Sequence, residues 1–130
     1  QGIEKYQGKN IVYSLGNFCF GGNSSPSDMD TMIYQQTFTI DSDGVKDDNV
    51  TNIIPCSISS AAYEGYNNYQ PTPAEGDEAT RILNKINERS SWISTAEGTT
   101  FTAKYNSSTT GNNTDSANSS DNNTVEIIRQ

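Results

Sequence analysis

Sixteen carboxylates, two cysteines and no histidine define the chemistry this 130-residue chain has to offer. Without an imidazole, no serine–histidine or cysteine–histidine pair can be assembled. Cys19 and Cys56 supply too few ligands for a zinc site. Three close carboxylate pairs remain: Asp28 with Asp30, Asp41 with Asp43, and Asp47 with Asp48. Two carboxylates flanking a sugar bond are what glycoside hydrolysis requires. Each pair, however, falls in turn-like sequence, where a solvated charge is the expectation. None has the spacing of an EF-hand loop, and no catalytic residue, metal or cofactor is assigned to this chain. Tyr63, Tyr66 and Tyr69 recur among Gly, Asn and Pro. Their rings suit either covering a sheet edge or stacking on a sugar or peptide ligand.

The charge balance excludes one class of partner. Sixteen acidic against eight basic residues give a net charge of -8, a field that repels phosphate backbones, so nucleic acid is not an expected partner. No apolar run approaches the ~20 residues that cross a bilayer as a helix, so no direct membrane span is expected. Hydrophobic residues make up only 32% of the chain, which implies that part of it is too polar to join a core.

Those residues must be positioned by an antiparallel framework. Residues 3–6 and 11–20 are rich in β-branched and aromatic side chains around the turn-forming Gln7-Gly8-Lys9-Asn10, which predicts a hairpin. The second of these strands is apolar on both parities at its start, so it is expected to be central and covered on both faces. A surface loop follows from Gly21 to Asp28. Residues 32–40 alternate with period two, and the Asp43-Gly44 pair predicts a second hairpin with residues 45–54. Pro55, which has no donor for a ladder, implies an edge or a bulge. In a simple meander Cys19 and Cys56 flank the 32–40 strand, two spacings of ~4.8 Å apart and beyond the ~7 Å reach of a disulfide, so two free thiols are expected.

Ala79, Ile82, Leu83 and Ile86 fall at i, i+3, i+4 and i+7 between Thr72-Pro73 and Ser90-Ser91, which predicts one amphipathic helix with acidic residues at its start and Lys85 and Arg89 toward its end. Trp92 and Ile93 continue its apolar face, and 99–105 alternates as a last, short strand. From Asn106 to Thr124 the sequence reduces almost entirely to Ser, Thr, Asn, Asp and Gly, so 106–130 is expected to be a disordered linker or tail, with Val125 to Arg129 turning apolar again. The fold class expected is therefore an α+β fragment: mainly antiparallel strands, one amphipathic helix, a domain segment over 1–105 and a tail over 106–130. The opening Gln1-Gly2-Ile3, running at once into strand-like sequence, reads as that of a segment excised from a longer protein.

The run Gln1-Gly2-Ile3-Glu4-Lys5-Tyr6-Gln7-Gly8-Lys9-Asn10-Ile11-Val12-Tyr13-Ser14-Leu15-Gly16-Asn17-Phe18 resembles the "QGIE-Y-GK-I-YSLGNF" stretch of the CapA-like family of bacterial capsule, or poly-γ-glutamate, synthesis proteins. Ile54-Pro55, Gln70-Pro71 with Pro73-Ala74, and Glu78 to Leu83 follow in a similar order, so the resemblance covers about 1–91. It implies part of an α/β sandwich of the calcineurin-like metallophosphatase type, whose paired divalent metals sit on Asp, Asn, Glu and His. In that family a Gly-His-x-His motif precedes the residues matching Gln1-Gly2-Ile3, and the other ligands lie further upstream; this chain holds none of them. The resemblance places Ser14, Gly16 and Asn17 at the rim of the parent's active site. It also implies an extracellular or cell-surface location through an anchor outside this chain. The partners it implies are the N-terminal part of the parent, an anionic polymer, or other capsule-synthesis membrane proteins. A second reading is an independent extracellular binding or spacer module that presents the tyrosine-rich segment.

Overall fold

A computed structural model of the chain describes residues 1–93, 101–105 and 124–129. Strands β1 (Ile3–Tyr6) and β2 (Lys9–Val12) form a two-stranded hairpin. Gln7 and Gly8, both at positive φ, make its turn, the arrangement whose twist matches that of the flanking strands. Strands β3 (Asp30–Asp41) and β4 (Gly44–Ser57) form a long antiparallel pair whose register shifts between Thr37 and Phe38. With β5 (Thr72–Pro73) and β6 (Thr124–Arg129) they complete a four-stranded sheet in the order β5-β4-β3-β6. Helix α1 (Gly76–Ser91) crosses this framework, preceded by a short 3-10 turn at Ala62–Glu64. The fold is the expected α+β arrangement of antiparallel sheets and one helix.

The core forms where the helix stripe meets the sheet. Ala79, Ile82 and Ile86 of α1 pack with Met32 of β3, Ile53 of β4, Ile3 of β1 and the buried Phe101 and Ala103. Ile3, Ile53, Ile82 and Ile86 are completely inaccessible to solvent; burying a side chain of this size contributes roughly 1.5–3 kcal/mol. Residues 101–105 do not form a ladder strand, yet Phe101 and Ala103 face inward and Lys104 O accepts a 2.8 Å bond from Ile53 N. The alternation read in 99–105 therefore describes a buried edge segment over 101–105, and 99 and 100 lie outside the described residues. The Ile53 bond points away from β3. Pro55, two residues on, turns its imino nitrogen to the same outer side, where no ladder donor is needed. There its carbonyl accepts from Ala74 N at 2.8 Å.

Four expectations are corrected. The strand expected over 11–20 stops at Val12, and the hairpin is a separate two-stranded sheet and not the centre of a larger one. Tyr13 and Phe20, 61% and 63% exposed, lie in the irregular segment that follows. Trp92 does not extend the buried helix face, since it is 71% exposed, whereas Ile93 is half-buried. Thr124–Arg129, grouped by composition with the tail, pairs with β3 from Tyr34↔Arg129 to Thr39↔Thr124. The remainder of the expected tail, 106–123, lies outside the described residues. Both cysteines are free thiols, as expected, but Cys19 sits exposed in the loop and not on a flanking strand.

Polar groups fasten the two sheets to each other and to the helix. Asn10 Nδ2 donates to Tyr34 Oη and Gln36 Oε1, both at 3.0 Å, and Tyr34 Oη donates to Gln36 Oε1 at 2.6 Å. Ser90, 2% exposed, accepts from Ile3 N at 3.1 Å and donates to Ile86 O at 2.7 Å. One hydroxyl thereby satisfies the outer edge of β1 and returns its own proton to the helix. Ser90→Ala is expected to cost about 1–3 kcal/mol in urea unfolding, because a buried N–H loses its acceptor, while Ser91→Ala, at an exposed site, leaves stability within about 0.5 kcal/mol. The thiols should separate cleanly: burial pushes Cys56 up to about 11, so in native protein a disulfide reagent at neutral pH titrates Cys19 alone and reaches Cys56 only after denaturation.

Candidate functional site

Arg81, Lys85 and Arg89 stand at i, i+4 and i+8 on α1, one above another on a single face. Opposite them lies the turn that launches β3. Arg81 meets Asp30 with two parallel bonds, Nη1 to Oδ2 at 2.9 Å and Nη2 to Oδ1 at 2.5 Å. It also donates through Nε and Nη2 to Glu78 at 2.9 and 2.6 Å. Lys85 Nζ bridges Asp28 Oδ1 and Asp30 Oδ2 at 2.7 and 2.6 Å, and Arg89 reaches Asp28 Oδ2 at 3.2 Å. Asp28 Oδ1 in turn accepts from Asp30 N at 3.0 Å. Asp30 is therefore not a solvated loop charge. At 6% exposure it is a buried carboxylate that begins a strand.

Burial by itself would raise the pKa of both aspartates, but the Lys85 and arginine bonds outweigh it and hold both carboxyls below the ordinary range. Lys85 shifts the opposite way: burial would lower it, yet the bonds from Asp28 and Asp30 carry it above the usual lysine value. The cations fill the positions from which a metal would neutralise this carboxylate pair. Among the described residues no group of three or more His, Cys, Asp or Glu is placed to hold a metal ion. The cluster can hold charge and fix geometry.

The segment carrying Ser14, Gly16 and Asn17 is seated beside this cluster. Thr31 Oγ1 donates to Leu15 O at 3.0 Å, and Gln1 Nε2 donates to Asp30 O at 2.6 Å. Gly16, at φ 81°, lies so near Gln1 that a Cβ there would stand 2.1 Å from Nε2. Gly2 is equally confined, since an added Cβ would meet Ile93 Cδ1 at 2.7 Å and Arg89 O at 3.2 Å. Ser14 Oγ accepts from Gly16 N at 3.1 Å, and Asn17 is exposed. The glycines of the run thus answer to packing at the helix C-terminus and at the β3 turn, and Ser14 and Asn17 lie on the surface next to it.

The tyrosines do not act as a set. All three are exposed, Tyr63 the most at 85%. Tyr63 borders a groove of about 350 Å³ between the 3-10 turn, the end of β4, β5 and the first turn of α1. Tyr66 and Tyr69 lie outside it: Tyr66 O accepts from Ser59 Oγ at 2.9 Å, and Tyr69, at φ 61°, donates its N–H to Asn67 Oδ1 at 2.8 Å. The ion-pair ladder and the groove were both missed by reasoning along the chain. The i, i+4, i+8 basic spacing was the available signal for the first, but its acidic partners lie more than fifty residues away. The second had none.

No family model, no curated protein and no solved structure matches this chain. Among the described residues no helix is long and apolar enough to cross a membrane.

The ladder fixes a pH dependence. Asp28 and Asp30 have folded values below their unfolded ones, so their contribution is complete above about pH 4 and is lost as pH falls through the folded values. Lys85, raised, contributes fully below about pH 10 and loses that contribution on further alkalinisation. The thermal midpoint is expected to be flat between these limits and to fall on acidification below about pH 4. Asp30→Ala should cost about 2–3 kcal/mol at pH 7, less than breaking a fully buried pair because Arg81 and Lys85 keep access to water, and should shallow the acid limb. An unchanged acid limb in that variant rules the ladder out as its source.

Proposed function

We propose that this chain is a non-catalytic, sheet-completing segment of a larger CapA-like cell-surface protein acting in capsule, or poly-γ-glutamate, biosynthesis. The observation that carries the reading is the outer face of the β1–β2 hairpin, where the Gln1 to Phe18 run lies. Ile3 and Val12 face the core, while Tyr6, Ile11 and Tyr13 on the other face are 43%, 38% and 61% exposed. Beneath them Glu4, only 8% exposed, is hydrogen-bonded to Tyr13. A two-stranded sheet with an uncovered apolar face is what remains when a covering layer belongs to another segment. Under this reading the layer is supplied by the N-terminal part of the parent, which also brings the histidines for a divalent-metal centre, and Ser14, Gly16 and Asn17 lie at its rim. The alternative, an independent extracellular binding module, is favoured by the exposed Tyr63 ring at its groove.

Two measurements test the proposal together. The parent reading frame should encode Gly-His-x-His directly before Gln1. In cells carrying that gene, Ile11→Lys should lower surface poly-γ-glutamate while leaving the melting temperature of the 130-residue chain within a few degrees, because Ile11 is on the outer face. Absence of the histidine motif, or unchanged polymer in the variant, overturns it.

A further inference from the structure

The groove beside Tyr63 has a donor and acceptor pattern that its own protein contacts leave unspent. Ser57 and Thr72 are register partners across β4 and β5. Ser57 Oγ accepts from Ser59 N at 3.2 Å, which leaves its O–H without an acceptor among the described residues. Thr72 Oγ1 spends its proton on Gln70 O at 3.1 Å and retains its lone pairs. One groove-lining pair therefore offers a donor next to an acceptor. At the helix side Glu78 is held ionised by Arg81, whose two bonds lower its pKa and leave further lone pairs on each carboxylate oxygen. On the rim, Pro73 and the Tyr63 ring supply apolar surface. The Tyr63 ring is 85% exposed, so its face is open to a ligand.

We propose that this groove binds a neutral hexopyranose unit of a glycan, with the apolar face of the sugar on Tyr63 and its hydroxyls on Ser57, Thr72 and Glu78. A sugar hydroxyl both donates and accepts, so a donor beside an acceptor matches vicinal hydroxyls, and the ring matches the C–H face. A volume of about 350 Å³ accommodates one to two such rings. The charge works against anions: the Glu78 carboxylate lines the groove in a chain of net charge -8, so carboxylated sugars and polyglutamate are disfavoured there. The inference is independent of the capsule reading, since it concerns a surface remote from the hairpin run.

The test is titration of the 130-residue chain with the neutral hexamers of glucose in α-1,4 and β-1,4 linkage and of N-acetylglucosamine, followed by amide NMR, with poly-γ-glutamate as a fourth probe. Saturable shifts centred on Ser57, Tyr63, Thr72 and Glu78 are expected with at least one hexamer at about millimolar affinity. Tyr63→Ala, at a site too exposed to be needed for folding, should weaken them about tenfold, and Tyr66→Ala and Tyr69→Ala should leave them within about twofold. Three results overturn the proposal: no saturable shift with any hexamer, equal binding by Tyr63→Ala, or a groove that responds to poly-γ-glutamate and not to the sugars.

Discussion

Asp30 begins the longest pairing in the molecule with a carboxylate almost shut off from water, and such a charge is tolerable only where cations and donors replace its hydration. Arg81 and Lys85 do this from the helix while Asp28 accepts the Asp30 N–H from below. The consequence is positional. The helix is held at one height and rotation against the start of β3, and only in that setting do Ile82 and Ile86 face Met32 and Ile53. The apolar contacts supply most of the stabilisation, but they are non-directional; the ionic ladder decides which of the sliding arrangements they would accept is occupied.

The same constraint reaches the segment between the hairpin and β3. Its start is fixed beside β3 by Thr31 Oγ1 on Leu15 O, and its end by Ile58 N on Met29 O. A loop tethered at these points presents Ser14 and Asn17 at a defined place beside the helix although it has no regular structure of its own. Further along, Asn67 repeats the device, bonding Asn23 O and Ser24 O. The irregular 59–71 region is therefore attached to the irregular 13–29 region by the side-chain amide and the backbone N–H of Asn67, and both regions flank the ordered β3–β4 pair.

The molecule thus divides by face. One face, built on the β1–β2 hairpin, leaves Tyr6, Ile11 and Tyr13 uncovered over a buried Glu4. Another, built where β4, β5 and α1 converge, leaves a groove with an aromatic rim and hydroxyls in complementary states. The first carries large side chains left exposed on one side of the hairpin. The second is small and mixed, with one carboxylate, Glu78, in its lining.

Local pattern in the sequence determined the helix, the β3–β4 hairpin and the β1–β2 turn, because period, turn residues and capping charges act over a few positions and need no distant partner. The Ala79, Ile82, Ile86 stripe is buried as read, whereas Pro55 lies in β4 between β3 and β5, away from the sheet edge expected of it, with its nitrogen turned from the β3 ladder. What only the tertiary structure decided depends on residues far apart. The strand-like pattern reads on to Phe20, but β2 ends at Val12, and in the irregular segment beyond it Leu15 O accepts from Thr31 Oγ1. Asp28 and Asp30 read as solvated until the helix brings three cations to them across more than fifty residues. Of three similar tyrosines, only Tyr63 borders this groove, because its walls come from β4, β5 and α1 and converge only when the sheet and helix have packed.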